Sequence, residues 1–92
     1  MNTDRAETVA LQALAFLAAD EQALDGFVHL TGLGLDQLRA AASNPEILAG
    51  VLDHLLQDEP LLLAFCEAAD IKPDEPARAR AYLPGGDLPH YT

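Results

Sequence analysis

The sequence is poor in aromatic residues and almost free of cysteine. It has no Trp, three Phe, two Tyr and a single Cys at position 66. One Cys excludes an internal disulfide framework, and a lone thiol suits a reducing cytoplasm. With so few aromatic side chains, the core has to be built mainly from Leu, Ala, Val and Ile. That composition favours closely packed helices.

Basic residues are also scarce. Five Lys and Arg stand against fifteen Asp and Glu, which gives a formal net charge of -10. A surface of this charge repels phosphate, so nucleic acids and anionic membranes are disfavoured as partners. A protein with a basic patch, or a divalent cation, is favoured instead.

Long apolar runs are absent. The stretch "VALQALAFLAA" resembles the apolar part of a secretory signal, but Asp4, Glu7 and Gln12 interrupt the region and Arg5 is its one basic residue. No run reaches the roughly 18 uninterrupted apolar residues that a membrane-spanning helix needs. We therefore expect a soluble, cytoplasmic protein.

The length of 92 residues predicts one domain. We expect an all-α, compact single-domain bundle of five to six short helices over residues 1–83, followed by a Pro- and Gly-containing tail over residues 84–92. Asp4 is the predicted N-cap of the first helix, over residues 5–18. Because this helix is apolar around most of its circumference, it is predicted to lie at the centre of the bundle.

Capping residues predict the other helices. Asp20 precedes the second helix and Gly32 ends it, while Asn44 followed by Pro opens the fourth. Pro60 lies in the first turn of the fifth helix, and the short break before it predicts an antiparallel hairpin of helices four and five. A third helix is expected over residues 35–42, and a short sixth helix follows Asp74.

Helical periodicity predicts which side chains of these helices point inward and which point outward. The predicted inward residues are Leu24, Phe27, Val28 and Thr31, then Leu35, Leu38 and Ala42, then Leu48, Val51, Leu52 and Leu55, and finally Leu61, Leu62, Phe65, Cys66 and Ala69. The predicted outward residues of the fourth helix are Glu46, Gly50, Asp53 and Gln57.

Three segments carry a resemblance to a known family: "AETVALQALAFLA", "FVHLTGLGLDQLRAAASNP" and "ILAGVLDHLLQDEPLLLAF". Over residues 5–83 the chain resembles a family of small bacterial proteins, of alphaproteobacterial type, that is catalogued as a domain of unknown function. The resemblance implies a compact all-helical protein. Since the family has no assigned active residues, it transfers none to this chain.

Two His and carboxylate pairs have the spacing of metal ligands. Asp25 and His29, and likewise His54 and Asp58, are four residues apart and so point the same way on a helix. Metal sites need three or four ligands, and acidic helices place Asp near His by chance. Cys66 with His54 as its base would suit a thiol enzyme, but Cys66 lies on a predicted inward face, where thiols are inert. We assign no catalytic residue, metal ligand or cofactor; a metal-dependent or thiol enzyme using His54, Asp58 and Cys66 is the alternative function.

The second and third helices also have the length and the glycine of a helix-turn-helix. Gln37, Arg39 and Ser43 would then lie on the recognition helix. DNA binding needs several basic residues there, and Arg39 is the one available, so a nucleic-acid binder is the less favoured alternative.

The interpretation that remains is a non-enzymatic protein-protein interaction module, an adaptor or regulator with an apolar groove and an acidic rim. The partner would be another protein, or a second copy, with a basic or apolar patch, so that the chain is a monomer or a homodimer. The tail folds back over the bundle, is a disordered terminus, or serves as a recognition peptide. The predicted contact residues are Leu33, Leu63, Tyr82, Leu88 and Tyr91.

Overall fold

Six α-helices and no strand occur in the part of the chain that the computed structural model describes, residues 1–85 apart from the side chain of Leu35. This architecture confirms the predicted all-α fold. The helices are α1 Thr3–Ala18, α2 Glu21–Thr31, α3 Leu35–Arg39, α4 Pro45–Leu56, α5 Glu59–Ala69 and α6 Glu75–Arg80, with one turn of 3₁₀ helix, Ala41–Ser43, before α4.

The capping residues act largely as predicted. The Asp20 carboxylate accepts hydrogen bonds from the backbone N–H groups of Gln22 and Ala23, at 3.0 and 3.3 Å. Asn44 does the same for the first turn of α4. Gly32 ends α2 with a φ of 73°, in the left-handed region that favours glycine. These residues satisfy helix-end groups that would otherwise lack partners.

The start of α1 differs from the prediction. Asn2, not Asp4, is the N-cap, because its side-chain oxygen accepts from the backbone N–H of Arg5 at 2.8 Å. The helix therefore begins at Thr3, and Asp4 lies within its first turn. The negative charge of Asp4 is stabilised there by the positive end of the helix dipole. The start of α5 agrees with the prediction, because Pro60 lies in its first turn and Asp58 is its N-cap.

The third helix is shorter than predicted, and two inward assignments are wrong. α3 ends at Arg39, and the 3₁₀ turn that follows buries Ala41 while Ala42 is exposed. The chain leaves the helix here because it turns to bury Ala41 before Asn44 caps α4. Thr31 is exposed too; its hydroxyl donates to the carbonyl of Phe27 at 2.7 Å. The predicted inward position of Leu35 lies outside the described residues.

The core lies between α1 and α4. Each of these helices packs against α2, α5 and α6 as well as against the other, so α1 is central as predicted but shares that position with α4. α4 and α5 contact each other across a short link, as the predicted hairpin requires. The buried residues are Ala6, Val9, Ala10, Ala13, Leu17, Phe27, Ala41, Ile47, Leu48, Ala49, Val51, Leu52, Leu55, Phe65, Cys66, Pro76, Ala79 and Leu83.

Two ion pairs attach α6 to the core helices. Arg5 of α1 donates to the Glu75 carboxylate, with 3.0 Å between Nε and Oε2. Arg80 donates to both carboxylate oxygens of Asp53 on α4, at 2.6 and 3.2 Å, and to the carbonyl of Pro84 at 2.9 Å. This pairing makes Asp53 half-buried, where an outward position was predicted. None of the helices in residues 1–85 is both long and apolar enough to cross a membrane.

Candidate docking site

Leu30 is the most exposed of the large apolar side chains that the structure describes, at 74% of its full accessibility. It lies in the last turn of α2, one turn after Phe27, which is fully buried. The Phe27 ring meets the imidazole of His54 edge-on, with 5.2 Å between ring centroids. This contact fixes α2 against α4, and it holds Leu30 beside the link between α4 and α5.

A surface depression forms around this side chain, and we call it the Leu30 corner. Its floor and walls come from the end of α2, the end of α4 and the start of α5. The residues that line it are Leu30, His54, Gln57, Asp58, Glu59 and Pro60.

The Leu30 corner is acidic. Asp58 and Glu59 are its carboxylates, and α2, α4 and α5 contain no Lys or Arg. Asp58 also caps α5 by accepting from the backbone N–H of Leu61 at 3.2 Å, which fixes its position at the rim. An apolar side chain surrounded by negative charge is suited to an apolar residue with basic neighbours.

The predicted contact residues lie elsewhere. Leu63 and Tyr82 are exposed, at 46% and 37%, and neither lines the Leu30 corner. Leu33 is half-buried, packs against the core and lines a separate depression next to α4. Leu88 and Tyr91 lie outside the described residues.

Leu30 itself was not among the residues predicted from the sequence. The inward positions of α2 are those of Leu24, Phe27 and Val28, and Leu30 lies off that face. An outward Leu in the last turn of an amphipathic helix was the available signal. It is weak, because single exposed leucines are common on protein surfaces.

The candidate enzyme residues are brought together only in part. His54 and Asp58 both line the Leu30 corner, whereas Cys66 is buried and its Sγ lies 3.8 Å from the Lys72 carbonyl, to which it donates. Within residues 1–85 there is no group of three His, Cys, Asp or Glu side chains placed to hold a metal ion. Asp25 and His29 are both exposed on α2.

The environment of Cys66 disfavours its thiolate. Burial raises the pKa of the Cys66 thiol above its usual range, and the negative charges of Glu75 and Asp74 raise this pKa further. A nucleophilic Cys needs the opposite, namely a cationic neighbour and partial exposure. Burial together with a raised thiol pKa is typical of a structural thiol.

We therefore expect Cys66 to react slowly with an aromatic disulfide reagent. At neutral pH, labelling should be at least about tenfold slower in the folded protein than in denaturant, because the thiolate is scarce and the reagent has to wait for an opening of the fold. Absorbance of the released thiol measures both rates. Equal rates with and without denaturant would contradict the buried placement of Cys66.

The predicted recognition helix of the helix-turn-helix alternative, α3, is short in the structure. α3 has five residues, a length of about 7.5 Å, which is little more than one turn. Arg39 lies at its end, within 3.8 Å of the Asp36 carboxylate. A helix this short has too little length to present several side chains along a major groove.

These features define the chain as a small all-α domain. Residues 3–86 match the model of a family described as "Protein of unknown function (DUF3572)", and the chain belongs to that family. This confirms the predicted membership of a family of unknown function. No curated protein and no solved structure matches the chain.

Proposed function

We propose that this protein is a non-catalytic, cytoplasmic protein-protein interaction module whose partner docks at the Leu30 corner. The observation that carries the proposal is the 74% exposure of Leu30 in a depression whose charged residues are carboxylates. When a partner covers this side chain, apolar surface is removed from water, and this stabilises the complex.

The partner is a protein segment with an apolar side chain and flanking Lys or Arg. Full burial of a Leu side chain is worth about 1.5–3 kcal/mol. Because Leu30 is mostly exposed, most of this burial free energy, about 1–2 kcal/mol, is gained only when a partner covers the side chain. This corresponds to roughly five- to thirty-fold in affinity. Asp58 and Glu59 add long-range attraction for a basic partner, which is screened over about 8 Å at physiological salt.

Several features support a module rather than an enzyme or a nucleic-acid binder. The buried Cys66 has a raised thiol pKa, which disfavours the thiol enzyme. The net charge of -10 opposes phosphate. A chain with one buried thiol needs no oxidising compartment, which supports the cytoplasm. No cofactor is part of the proposal.

We expect Leu30→Ser to weaken partner binding by about tenfold or more without unfolding the protein, since the side chain is mostly exposed. The measurement is capture from a lysate of the source organism on immobilised full-length protein, followed by mass spectrometry. A specific prey should be lost with Leu30→Ser and retained with the control Leu63→Ser, because Leu63 is also an exposed leucine but lies outside the Leu30 corner.

Salt provides a second measurement on the same prey. Binding should weaken as ionic strength rises, and Glu59→Gln should weaken it several-fold at low salt but much less at high salt. A prey that is retained by Leu30→Ser, or lost equally with Leu63→Ser, would place the docking site elsewhere and reject the Leu30 corner.

A further inference from the structure

The outward face of α1 is uncharged over most of its length. From Thr8 to Ala19 the sequence contains no charged residue, in a chain whose net charge is -10. We call the exposed strip of this face the α1 ridge; its residues are Thr8, Leu11, Gln12, Ala15, Ala18 and Ala19. Leu11 was expected within the apolar circumference of a central helix, yet it is 38% exposed. The ridge ends near Asp4 on one side and Asp20 on the other.

An apolar groove runs along each side of the α1 ridge. The first, which we call the α1–α5 groove, has Phe16 and Phe65 at its base, with 5.6 Å between their ring centroids. Its other lining residues are Gln12, Ala15, Ala68 and Ala69. The second groove is lined by Leu14, Ala18, Leu24, Leu38 and Arg39. A helical ridge beside a groove is the surface form that helix packing uses.

We propose that this face binds a second copy of the chain, forming a symmetric dimer in which the α1 ridge of each copy lies in the α1–α5 groove of the other. Two copies that each carry a net charge of -10 repel one another. The α1 ridge and the α1–α5 groove let them approach without bringing carboxylates together, since none of the lining residues is charged.

The same charge pattern argues against a foreign partner on this face. A basic protein finds no carboxylate in the α1–α5 groove, whereas it finds two in the Leu30 corner. A ridge and an adjacent groove on one surface are mutually complementary, which is what a two-fold symmetric interface requires. Small residues on the ridge, Ala15 above all, allow the two α1 helices to approach closely.

The size of the face predicts a weak dimer. The uncharged part of α1, from Thr8 to Ala18, is about 16 Å long at ~1.5 Å per residue. A contact about two interaxial spacings wide, ~18 Å, then covers ~300 Å² per copy. The total, roughly 600 Å² for both copies, is the size of a weak, transient contact. We therefore expect a dissociation constant in the upper micromolar range.

Sedimentation equilibrium of the full-length chain tests the proposal. The weight-average mass should rise from 9.8 kDa toward twice that value as the concentration increases from about 1 to 300 µM. Raising the salt should strengthen this association, because it screens the repulsion between the acidic copies. That dependence is opposite to the one expected at the Leu30 corner, so the two surfaces can be tested separately.

A matched pair of variants locates the interface. Ala15→Glu places a carboxylate at the centre of the α1 ridge, and the dissociation constant should rise by at least about thirtyfold. Ala77→Glu makes the same change at an exposed position of α6, a helix that contributes no residue to the lining of the groove, and it should leave the dimer nearly intact. A mass of 9.8 kDa at every concentration overturns the proposal, and so does a dimer that Ala15→Glu leaves unchanged.

Discussion

Phe27→Ala is expected to lower the free energy of unfolding by about 3–5 kcal/mol. Phe27 is fully buried and is the one buried residue of α2, so the attachment of that helix rests largely on its ring. Its removal leaves a cavity between α2 and α4 and also takes away the edge-on contact with His54. Since small domains have about 5–15 kcal/mol in all, this one change removes a large fraction of the total stability.

Urea unfolding followed by helical circular dichroism measures the effect of Phe27→Ala. The control is Leu30→Ala, which shortens a side chain on the same helix three residues later but leaves no cavity. We expect the control to cost less than about 0.5 kcal/mol. If Phe27→Ala itself does not fold, Phe27→Leu gives a milder cavity at the same site. Equal losses for Phe27→Leu and Leu30→Ala would mean that Phe27 is not the anchor of α2.

The same helix shows how far the sequence alone can predict the fold. Caps and periodicity act within a few residues of the chain, so Asp20, Gly32 and the burial of Phe27 were predicted correctly. The link from Asn44 into α4 was equally clear. The end of α3 was not predicted correctly. It depends on how the chain turns before α4, and that turn is set by packing.

Contacts between residues distant in the sequence could not be predicted from local patterns. Arg5 pairs with Glu75, and Arg80 pairs with Asp53, across 70 and 27 positions of the chain. Without these pairs Asp53 has the pattern of an outward, solvated carboxylate. Periodicity also leaves open how α6 joins α1 and α4, although each partner residue lies in a helix that was predicted.

The candidate site illustrates a second limit. Periodicity separates an inward from an outward face, but it does not say which outward side chains remain uncovered once neighbouring helices pack. Leu33 was a predicted contact residue and is half-buried, whereas Leu11, in a helix predicted to be central, is partly exposed. The Leu30 corner exists because three helix ends meet there, and this arrangement is a property of the tertiary structure.

Ala13→Leu is expected to destabilise the protein by about 1–3 kcal/mol, because it adds volume where α1 packs against its neighbours. Ala13 is fully buried, like Ala6 and Ala10 on the same helix. Leu and Ala have similar helix propensities, so the loss reports packing and not helix formation. The melting temperature should fall by roughly 5–20 °C for a domain of this size.

Ala64→Leu, the same change at an exposed position of α5, is the control and should shift the melting temperature by no more than a few degrees. If Ala13→Leu is tolerated as well as the control, α1 does not pack closely against its neighbours at Ala13. The central position of α1 would then have to be explained by something other than its small buried residues.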